Sequence, residues 1–390
     1  MSFLVDEGFD NLHPCTLNCF YTAVNESMCH ASDWTCLCSD TKFFALTTDC
    51  STTSSCSVKA SLSATNITMT ACRIPQDSQA GISSILAGVF GMLALIMVVL
   101  RITQRSVFNG LVGLDDFVIA AAMVCAAPLN CLMFPMQNLG LGTNTWAVPF
   151  EHITKELELL YIAEICYMAA EALTQLSFLT FYLRIFPSEK FQLIAYVLMG
   201  LSACFGISNT PVMTFQCLPI PYFWSGWTGE YQGMCININA YSWYEAAVQI
   251  AMDLAIIGLP IWPLLHTAMK WQKKLQVASM FCAGFLITVV SCLRLRSLVK
   301  FSKSPNTTYA NTPAIYWSVV ECDVAIICAC MPAIPSLLRN ISPFLFGQSP
   351  NYRDDTSPLR HTPQSIPLDH IQKDEKYRNL QATSSETYLV

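Results

Sequence analysis

Residues 79–100 read QAGISSILAGVFGMLALIMVVL and contain no charged side chain. A helix needs about 20 mainly apolar residues to cross the hydrocarbon core of a bilayer, so this stretch predicts a transmembrane helix. The rest of the chain has the same character, since 53% of its 390 residues are hydrophobic and 12% are charged. Soluble proteins carry about 25% charged residues, which argues against an ordinary soluble enzyme. The net charge of −6 argues against nucleic acid as a partner.

Six further stretches combine a suitable length with few charges. The sequence therefore predicts an all-α membrane protein in which residues 75–340 form a seven-transmembrane helix bundle, with spans at 79–100, 114–134, 157–183, 191–214, 241–265, 275–298 and 314–338. No stretch shows the alternation of a membrane β-strand. The odd number of spans and the lack of an internal repeat argue against a transporter built from two inverted halves.

Charges between the spans predict the orientation of the bundle, because Lys and Arg accumulate in cytoplasmic loops. Most of the cations fall on one side, namely Arg101, Arg105, Arg184, Lys190, Lys270, Lys273 and Lys274. Other cations oppose this assignment because they lie at the extracellular end of the sixth span: Arg294, Arg296, Lys300 and Lys303. We predict a multi-pass plasma-membrane protein with an extracellular N-terminus and a cytoplasmic C-terminus.

This topology assigns the sequons and raises a question about the N-terminal segment. Asn25, Asn66 and Asn306 are predicted to be extracellular glycosylation sites, whereas Asn340 is predicted to be cytoplasmic. Residues 1–13 lack the apolar core of a cleavable signal peptide. Either the first span translocates the segment before it, or an upstream segment is missing from the sequence.

A cysteine-rich segment precedes the first span, with eight cysteines spaced C-x3-C-x9-C-x6-C-x-C-x11-C-x5-C-x15-C from Cys15 to Cys72. A segment of about 60 residues buries too little apolar surface to be stable alone, and disulfides worth about 2–4 kcal/mol each supply the difference. Disulfides need an oxidising compartment, which supports an extracellular N-terminus. Zinc is a poor alternative because paired C-x2-C knuckles are absent. The spacing alone leaves on the order of 100 pairings open.

The run Pro14-Cys15 with Cys19, and the run Thr35-Cys36-Leu37-Cys38 with three cysteines after it, resemble the CFEM domain of fungal extracellular membrane proteins. The resemblance implies that residues 14–74 form a disulfide-rich small helical domain. It also implies the pairs Cys15–Cys56, Cys19–Cys50, Cys29–Cys36 and Cys38–Cys72.

The same resemblance raises the question of haem as a cofactor. In haem-binding CFEM domains an aspartate three residues before the C-x-C motif binds the iron, and Asp33 has that position here. Aspartate is an unusual haem ligand, so the site needs support from its surroundings. The apolar neighbours of Asp33 have two possible interpretations. They form either a flat wall against haem or the core of a domain that binds no ligand, and they are Trp34, Phe43, Phe44 and Leu46.

Polar residues inside the predicted spans are costly in a bilayer and must face the interior of the bundle. They form a predicted polar seam of Asp115, Asp116, Glu164, Glu171, Gln175, Asp253, Glu321 and Asp323. By their spacing Glu164, Glu171 and Gln175 lie on one face of the third helix. Three interpretations of the seam compete: an internal lock of a receptor, the ion path of a transporter, and simple contacts between helices.

Two kinds of chemistry are excluded by missing residues. Retinal needs a lysine in the last helix for its Schiff base, and residues 314–338 contain none. The sequence also shows no Ser-His-Asp, His-Glu-x-x-His or paired metal-ligand motif. We therefore predict no catalytic residues and a protein that is not an enzyme.

Four sequence blocks resemble the fungal rhodopsin-domain integral membrane family: GLDD at 113–116, SFLTFYLRIFP at 177–187, DLAIIGLP at 253–260 and PAIPSL at 332–337. Together with a CFEM domain they resemble the PTH-eleven-like receptors of filamentous fungi. This implies a cell-surface receptor of the G-protein-coupled type that senses extracellular or host surface cues and signals through its loops and tail. The Asp-Arg-Tyr and Asn-Pro-x-x-Tyr motifs of animal receptors are absent, so a heterotrimeric G protein is a partner implied by architecture. The rival function is haem or iron capture, with the bundle as anchor or conduit.

The loops and tail add three predictions. Cys217 and Cys235 flank a run of aromatic residues, which predicts an extracellular disulfide beneath either an aromatic lid or an interfacial belt. Basic residues on the cytoplasmic side are candidate coupling residues for a partner or for anionic lipid, namely Arg184, Lys270, Lys273 and Lys274. Residues 341–390 are predicted to be a disordered cytoplasmic tail.

Overall fold

The computed structural model describes residues 12–30, 33–53, 56–74, 78–108, 112–261, 271–301 and 306–334. Within these residues the cysteine-rich segment, called the head below, contains four helices: α1 (Pro14–Glu26), α2 (Trp34–Ser39), α3 (Thr41–Thr53) and α4 (Val58–Ala71). Side-chain caps lie at the starts of α1, α2 and α4, and His13 caps the first of these. The Asp33 side chain accepts a hydrogen bond from Cys36 N, and the Ser57 side chain accepts one from Ala60 N.

The head is held by a small apolar core and four disulfides. Phe20, Leu37 and Phe43 are buried, and the rings of Phe20 and Phe43 meet edge to face with centroids 5.5 Å apart. The structure joins Cys15 to Cys56, Cys19 to Cys50, Cys29 to Cys36 and Cys38 to Cys72, the four pairs that the CFEM resemblance implies.

The described part of the bundle contains seven long helices: α5 (Ala80–Thr103), α6 (Leu114–Leu139), α7 (Phe150–Ile185), α8 (Glu189–Thr214), α10 (Ile238–Gly258), α11 (Trp271–Phe301) and α12 (Thr307–Cys330). A π-helical turn, Gln104–Phe108, follows α5. The loop after α8 holds the antiparallel pair β1 (Cys217–Leu218) and β2 (Met234–Cys235), with the short helix α9 (Tyr222–Ser225) between them. The predicted disulfide Cys217–Cys235 joins these two strands.

One long helix coincides with each predicted span, but their apolar character differs. Among the described residues four helical stretches are long and apolar enough to cross a membrane: Gly81–Val107, Leu114–Leu139, Glu189–Thr214 and Thr308–Ala333. The structure therefore supports four spans, and the count of seven stays a prediction. The helix α7 has 36 residues and begins before the predicted span 157–183, with Glu151 and Lys155 in its extra first turns.

The surface of α5 fits contact with lipid. Its exposed side chains Ile85, Val89, Met92, Ile96 and Val99 are all large and apolar. Their alternating spacing of four and three residues places them on one face of the helix. A continuous apolar face of this kind is unusual on a soluble protein and suits a bilayer.

The opposite face of α5 packs closely against α6 through small residues. Ala87 and Ala94 are buried, and a Cβ added to Gly91 would lie 2.7 Å from Asn130 Cγ on α6. Asn130 has little freedom to move, because its Nδ2 donates hydrogen bonds to Asp323 Oδ1 at 2.8 Å and to Ala126 O at 3.1 Å. Gly91 therefore allows the approach that brings three helices around Asn130.

The head lies against the loops at one end of the bundle, called the head end; the opposite end is called the far end. The head helix α4 packs on the single helical turns Thr145–Ala147 and Gly226–Thr228. Lys59 Nζ on α4 lies 2.6 Å from Glu230 Oε1 in the loop between β1 and β2. This ion pair is largely exposed and adds little stability, so the contact surface of α4 is the main attachment.

The close approach at Gly91 predicts a position-specific cost of adding a methyl group. Gly91→Ala is expected to lower the free energy of unfolding by about 1–3 kcal/mol, the usual cost of overpacking. Gly81→Ala on the same helix is the matched control, since no atom lies within 4 Å of its added Cβ. Thermal unfolding of the solubilised protein measures both, and equal midpoints for the two variants would contradict this packing.

Candidate functional site

A buried arginine organises the polar interior of the bundle at the level where four helices meet. Arg294 on α11 is 3% exposed. Its Nη1 lies 3.3 Å from Glu245 Oε2 on α10, and its Nε lies 2.8 Å from Glu321 Oε2 on α12. The guanidinium stands over the ring of Tyr167 on α7, whose hydroxyl donates to Glu321 Oε2 at 2.9 Å. Together with Ser291, which donates to Glu321, these residues are called the central cluster.

The position of Arg294 corrects one expectation from the sequence. Arg294 was grouped with the cations at the extracellular end of the sixth span, which oppose the predicted orientation. The structure places it inside the bundle, paired with two carboxylates. A buried cation that is paired in this way says nothing about which loops face the cytoplasm. Arg296 and Lys300 are exposed and remain on the opposing side.

The polar residues of α7 contact three different neighbours, although they share one face of the helix. Glu164 Oε2 accepts a hydrogen bond from Gln216 Nε2 at 3.2 Å. Glu171 Oε2 accepts one from Gln249 on α10 at 2.9 Å. The amide of Gln175 donates to Asp253 Oδ1 at 2.9 Å and accepts from a serine of α8. These hydrogen bonds satisfy polar groups that would otherwise be costly in an apolar environment.

A second group, called the far-end cluster, lies away from the head and is formed by Arg101, Arg105, Asp115, Asp116 and Arg184. Arg101 is 1% exposed, and it lies 2.6 Å from Asp115 Oδ2 and 2.9 Å from Asp116 Oδ1. Arg184 Nη1 on α7 lies 3.4 Å from Asp115 Oδ1, and Arg105 approaches both carboxylates within 4 Å. Of the predicted seam, Asp115 and Asp116 thus lie in the far-end cluster and Glu321 lies in the central cluster. The other five residues make the separate hydrogen bonds described above.

The far-end cluster also fixes the ends of two helices. Arg101 Nη1 donates to the carbonyl of Ala329 at 2.5 Å, close to the end of α12. Asp116 Oδ2 accepts from Gly113 N at 2.9 Å, which caps the start of α6. Arg101 was counted as a cytoplasmic loop cation, whereas the structure buries it between α5, α6 and α12. Of the predicted coupling residues, Arg184 is partly exposed at this end. Lys270 and the side chains of Lys273 and Lys274 lie outside the described part of the chain.

Two cavities lie on either side of the central cluster. The larger one, of about 100 Å³, is called the head-end cavity, and its polar lining comprises Glu164, Tyr167, Ser242, Glu245, Arg294, Asn311 and Ser318. The smaller one, of about 20 Å³, is lined by Glu171, Gln175 and Asp253 among apolar residues. The central cluster therefore contributes side chains to the larger space and separates it from the smaller one.

Aromatic residues of the loop between β1 and β2 pack over the first turns of α7. The ring centroids of Phe223 and Trp224 both lie 5.6 Å from that of Tyr161. Trp227 packs on Phe150 and donates from Nε1 to Thr154 Oγ1 at 3.2 Å. These contacts support a lid attached to α7 rather than a belt directed at headgroups.

Asp33 is exposed on the head and acts as the N-cap of α2. Its Oδ1 accepts hydrogen bonds from Thr35 Oγ1 at 2.5 Å and from Cys36 N at 3.1 Å. These bonds favour the carboxylate and lower the pKa of Asp33 below its ordinary value of 3.8. The exposed carboxylate fits an axial ligand of haem iron, but the predicted apolar wall fits poorly, because Phe43 is fully buried in the core of the head.

The predicted glycosylation sites differ in their surroundings. Asn25 is exposed and Asn66 is half-buried. Asn306 accepts hydrogen bonds from the backbone N and the hydroxyl of Thr145, and its Nδ2 donates to Asn144 Oδ1 at 2.7 Å. A glycan on Asn306 would compete with the bond to Asn144, so Asn25 is the best placed of the three.

Comparison with known proteins confirms both resemblances. Residues 100–340 match the fungal rhodopsin domain, and residues 8–73 match the CFEM domain. Neither is a known enzyme family. The narrower likeness to PTH-eleven-like receptors stays a prediction. No solved structure matches the chain.

Curated relatives are distant and cover part of the chain. A "SAT4 family membrane protein" of Emericella nidulans is 28% identical over 204 residues, which are 52% of this chain and 51% of that protein. "Satratoxin biosynthesis SC1 cluster protein 4" of Stachybotrys chartarum is 25% identical over 44% of this chain and 62% of its own length. "Receptor GIN3" of Arthrobotrys oligospora is 20% identical over 62% of this chain and 57% of its own length. The chain thus spans between half and two thirds of these relatives.

The pairing of Arg294 predicts how the bundle responds to its removal. Arg294→Met leaves Glu245 and Glu321 buried without a cation, and a loss of about 3–5 kcal/mol in the free energy of unfolding is expected. Adding Glu321→Gln to this variant should restore part of the loss, because one unpaired charge is removed. Arg296→Met is the control, since that side chain is exposed. Thermal unfolding in lipid nanodiscs measures all three, and equal effects at the two arginines would contradict the assignment.

Proposed function

Because the chain belongs to the fungal rhodopsin domain family and carries a CFEM domain, we propose that it is a cell-surface receptor for extracellular or host surface cues. In this proposal the chain crosses the plasma membrane several times, with the head outside and the C-terminal tail in the cytoplasm. The head end of the bundle then faces the extracellular space, and the far-end cluster faces the cytoplasm. The name of one relative, "Receptor GIN3", agrees with this function.

One observation carries the proposal: the same two helices take part in both clusters. The helix α7 contributes Tyr167 to the central cluster and Arg184 to the far-end cluster. The helix α12 contributes Glu321 to the first and the carbonyl of Ala329 to the second. A ligand in the head-end cavity that favours one arrangement of these helices would thereby bias the far end, as a receptor requires.

The form of the helices favours a receptor over a transporter. Secondary transporters usually bind their substrate where helices are broken near the middle of the membrane. Here α7 runs without interruption from Phe150 to Ile185, and α12 runs without interruption past Glu321 to Cys330. The polar residues on these two helices therefore act from continuous helices, which suits a lock between two packings.

A heterotrimeric G protein is the proposed cytoplasmic partner. Arg184 offers a partly exposed cation beside Asp115, and the segment with Lys270, Lys273 and Lys274 adds further positive charge. An acidic surface of a partner that binds Arg184 would compete with Asp115 for it. Binding would in this way loosen the far-end cluster.

Capture of haem or iron by the head is the rival function, and strains that carry single substitutions separate the two. A receptor predicts that Arg184→Ala lowers the cyclic-nucleotide response to surface cues to the level of a deletion strain, whereas Asp33→Ala retains it. Lys190→Ala is the matched control, because this nearby cation is exposed. A full response in the deletion strain would contradict the receptor. Poor growth of Asp33→Ala under iron limitation, with a normal response, would favour capture.

A further inference from the structure

The head-end cavity contains a carboxylate without a cationic partner. Arg294 is shared between Glu245 and Glu321, at 3.3 Å and 2.8 Å. Glu164 also lines the cavity, but its contact is the neutral amide of Gln216 at 3.2 Å. Among the described residues no Lys, Arg or His lies within ion-pair distance of Glu164. Two acidic side chains, Glu164 and Glu245, and one basic side chain, Arg294, thus line the cavity. This excess of carboxyl groups favours a cationic ligand.

Arg294, which is one of the residues that line the same cavity, carries a buried hydrogen-bond donor without an acceptor. Within the described part of the chain Arg294 Nη2 has no hydrogen-bond partner, although the side chain is almost fully buried. A buried donor that lacks an acceptor is costly, so a ligand oxygen at this position would be favourable. This observation is independent of the charge on Glu164, because it concerns an acceptor and not a cation.

The size and the apolar lining limit what can bind. A cavity of about 150 Å³ accommodates a benzene molecule. The head-end cavity, at about 100 Å³, therefore takes a ligand of about four heavy atoms. Leu129, Leu160 and Met213 supply apolar surface next to the polar groups. A short carbon chain between two polar ends matches this combination.

We propose that the head-end cavity binds a small primary amine that also carries an oxygen atom, with its ammonium group at Glu164 and its oxygen at Arg294 Nη2. The proposal rests on the proposed receptor function and names the chemical class of its ligand. The ammonium group supplies the missing cation, and the oxygen supplies the missing acceptor. A ligand with only one of these groups would leave either Glu164 without a cation or Arg294 Nη2 without an acceptor.

Three probes of four heavy atoms each separate the two contacts. Ethanolamine has both groups, propylamine lacks the oxygen, and ethylene glycol lacks the cation. Binding of each to the full chain in nanodiscs of zwitterionic lipid is measured by ligand-observed NMR titration, with empty nanodiscs as the blank. A ligand of this size binds no more tightly than about 50 µM. We expect ethanolamine to bind at least tenfold more tightly than either of the other probes.

Two variants locate the site on α7. Glu164→Gln keeps a side chain that can contact Gln216 but removes the charge, and it is expected to weaken ethanolamine binding at least tenfold. Glu158→Gln removes the same charge from an exposed position of the same helix and is expected to leave binding unchanged. An equal effect of the two variants would overturn the proposal.

The outcomes also distinguish this inference from the receptor function. Equal binding of ethanolamine and ethylene glycol to the wild-type protein, or binding of none of the probes, would overturn the inference. Both results are read from the wild type, so they hold even if Glu164→Gln fails to fold. The response of cells to surface cues is measured separately. A normal response in cells without amine binding would leave the receptor standing and remove only this ligand class.

Discussion

Two buried arginines, Arg101 and Arg294, link the helices of the bundle, because each is almost fully buried and is paired with carboxylates of neighbouring helices. Each lies 2.9 Å or less from a carboxylate of a neighbouring helix, and each stands over an aromatic ring of α7. Removing either partner would leave a charge in a medium of low dielectric constant. The positions of α5, α6, α7, α10, α11 and α12 are thus linked at two places, the central cluster and the far-end cluster.

Such ion pairs are better understood as fixing an arrangement than as adding stability. Replacing a buried ion pair by well-packed apolar residues is often neutral or stabilising, because desolvation offsets the attraction between the charges. Simple contacts between helices would be served as well by Leu or Ala. Clusters that share α7 and α12 define which helix faces which. In the proposed receptor, a ligand would act by favouring one of two packings of these helices.

Sequence reasoning located most of the helices but not the contacts between them. The predicted spans coincide with the long helices because length and apolar composition are local properties. The disulfide pairs of the head came from a resemblance, since spacing alone could not choose among the pairings. The role of Arg294 was missed, although this residue lies within the predicted span 275–298. The rule that charged residues inside a span face the interior of the bundle was applied to the acids, and it applies equally to Arg294. Its partners are distant in the chain: Glu245 is 49 residues away. Sequence order could not reveal that Asp115 and Glu321 belong to different clusters.

The short connection between the head and the bundle limits what either part can do alone. Cys72 closes the last disulfide of the head, and Gln79 is the N-cap of α5. A chain over these positions spans at most about 25 Å, whatever path it takes. The head is therefore held close to the head end of the bundle by a short tether. Its effective concentration there is high, on the order of millimolar for a short linker. Anything bound by the head would therefore be held beside the turns Thr145–Ala147 and Gly226–Thr228, on which α4 packs, without first diffusing through the medium.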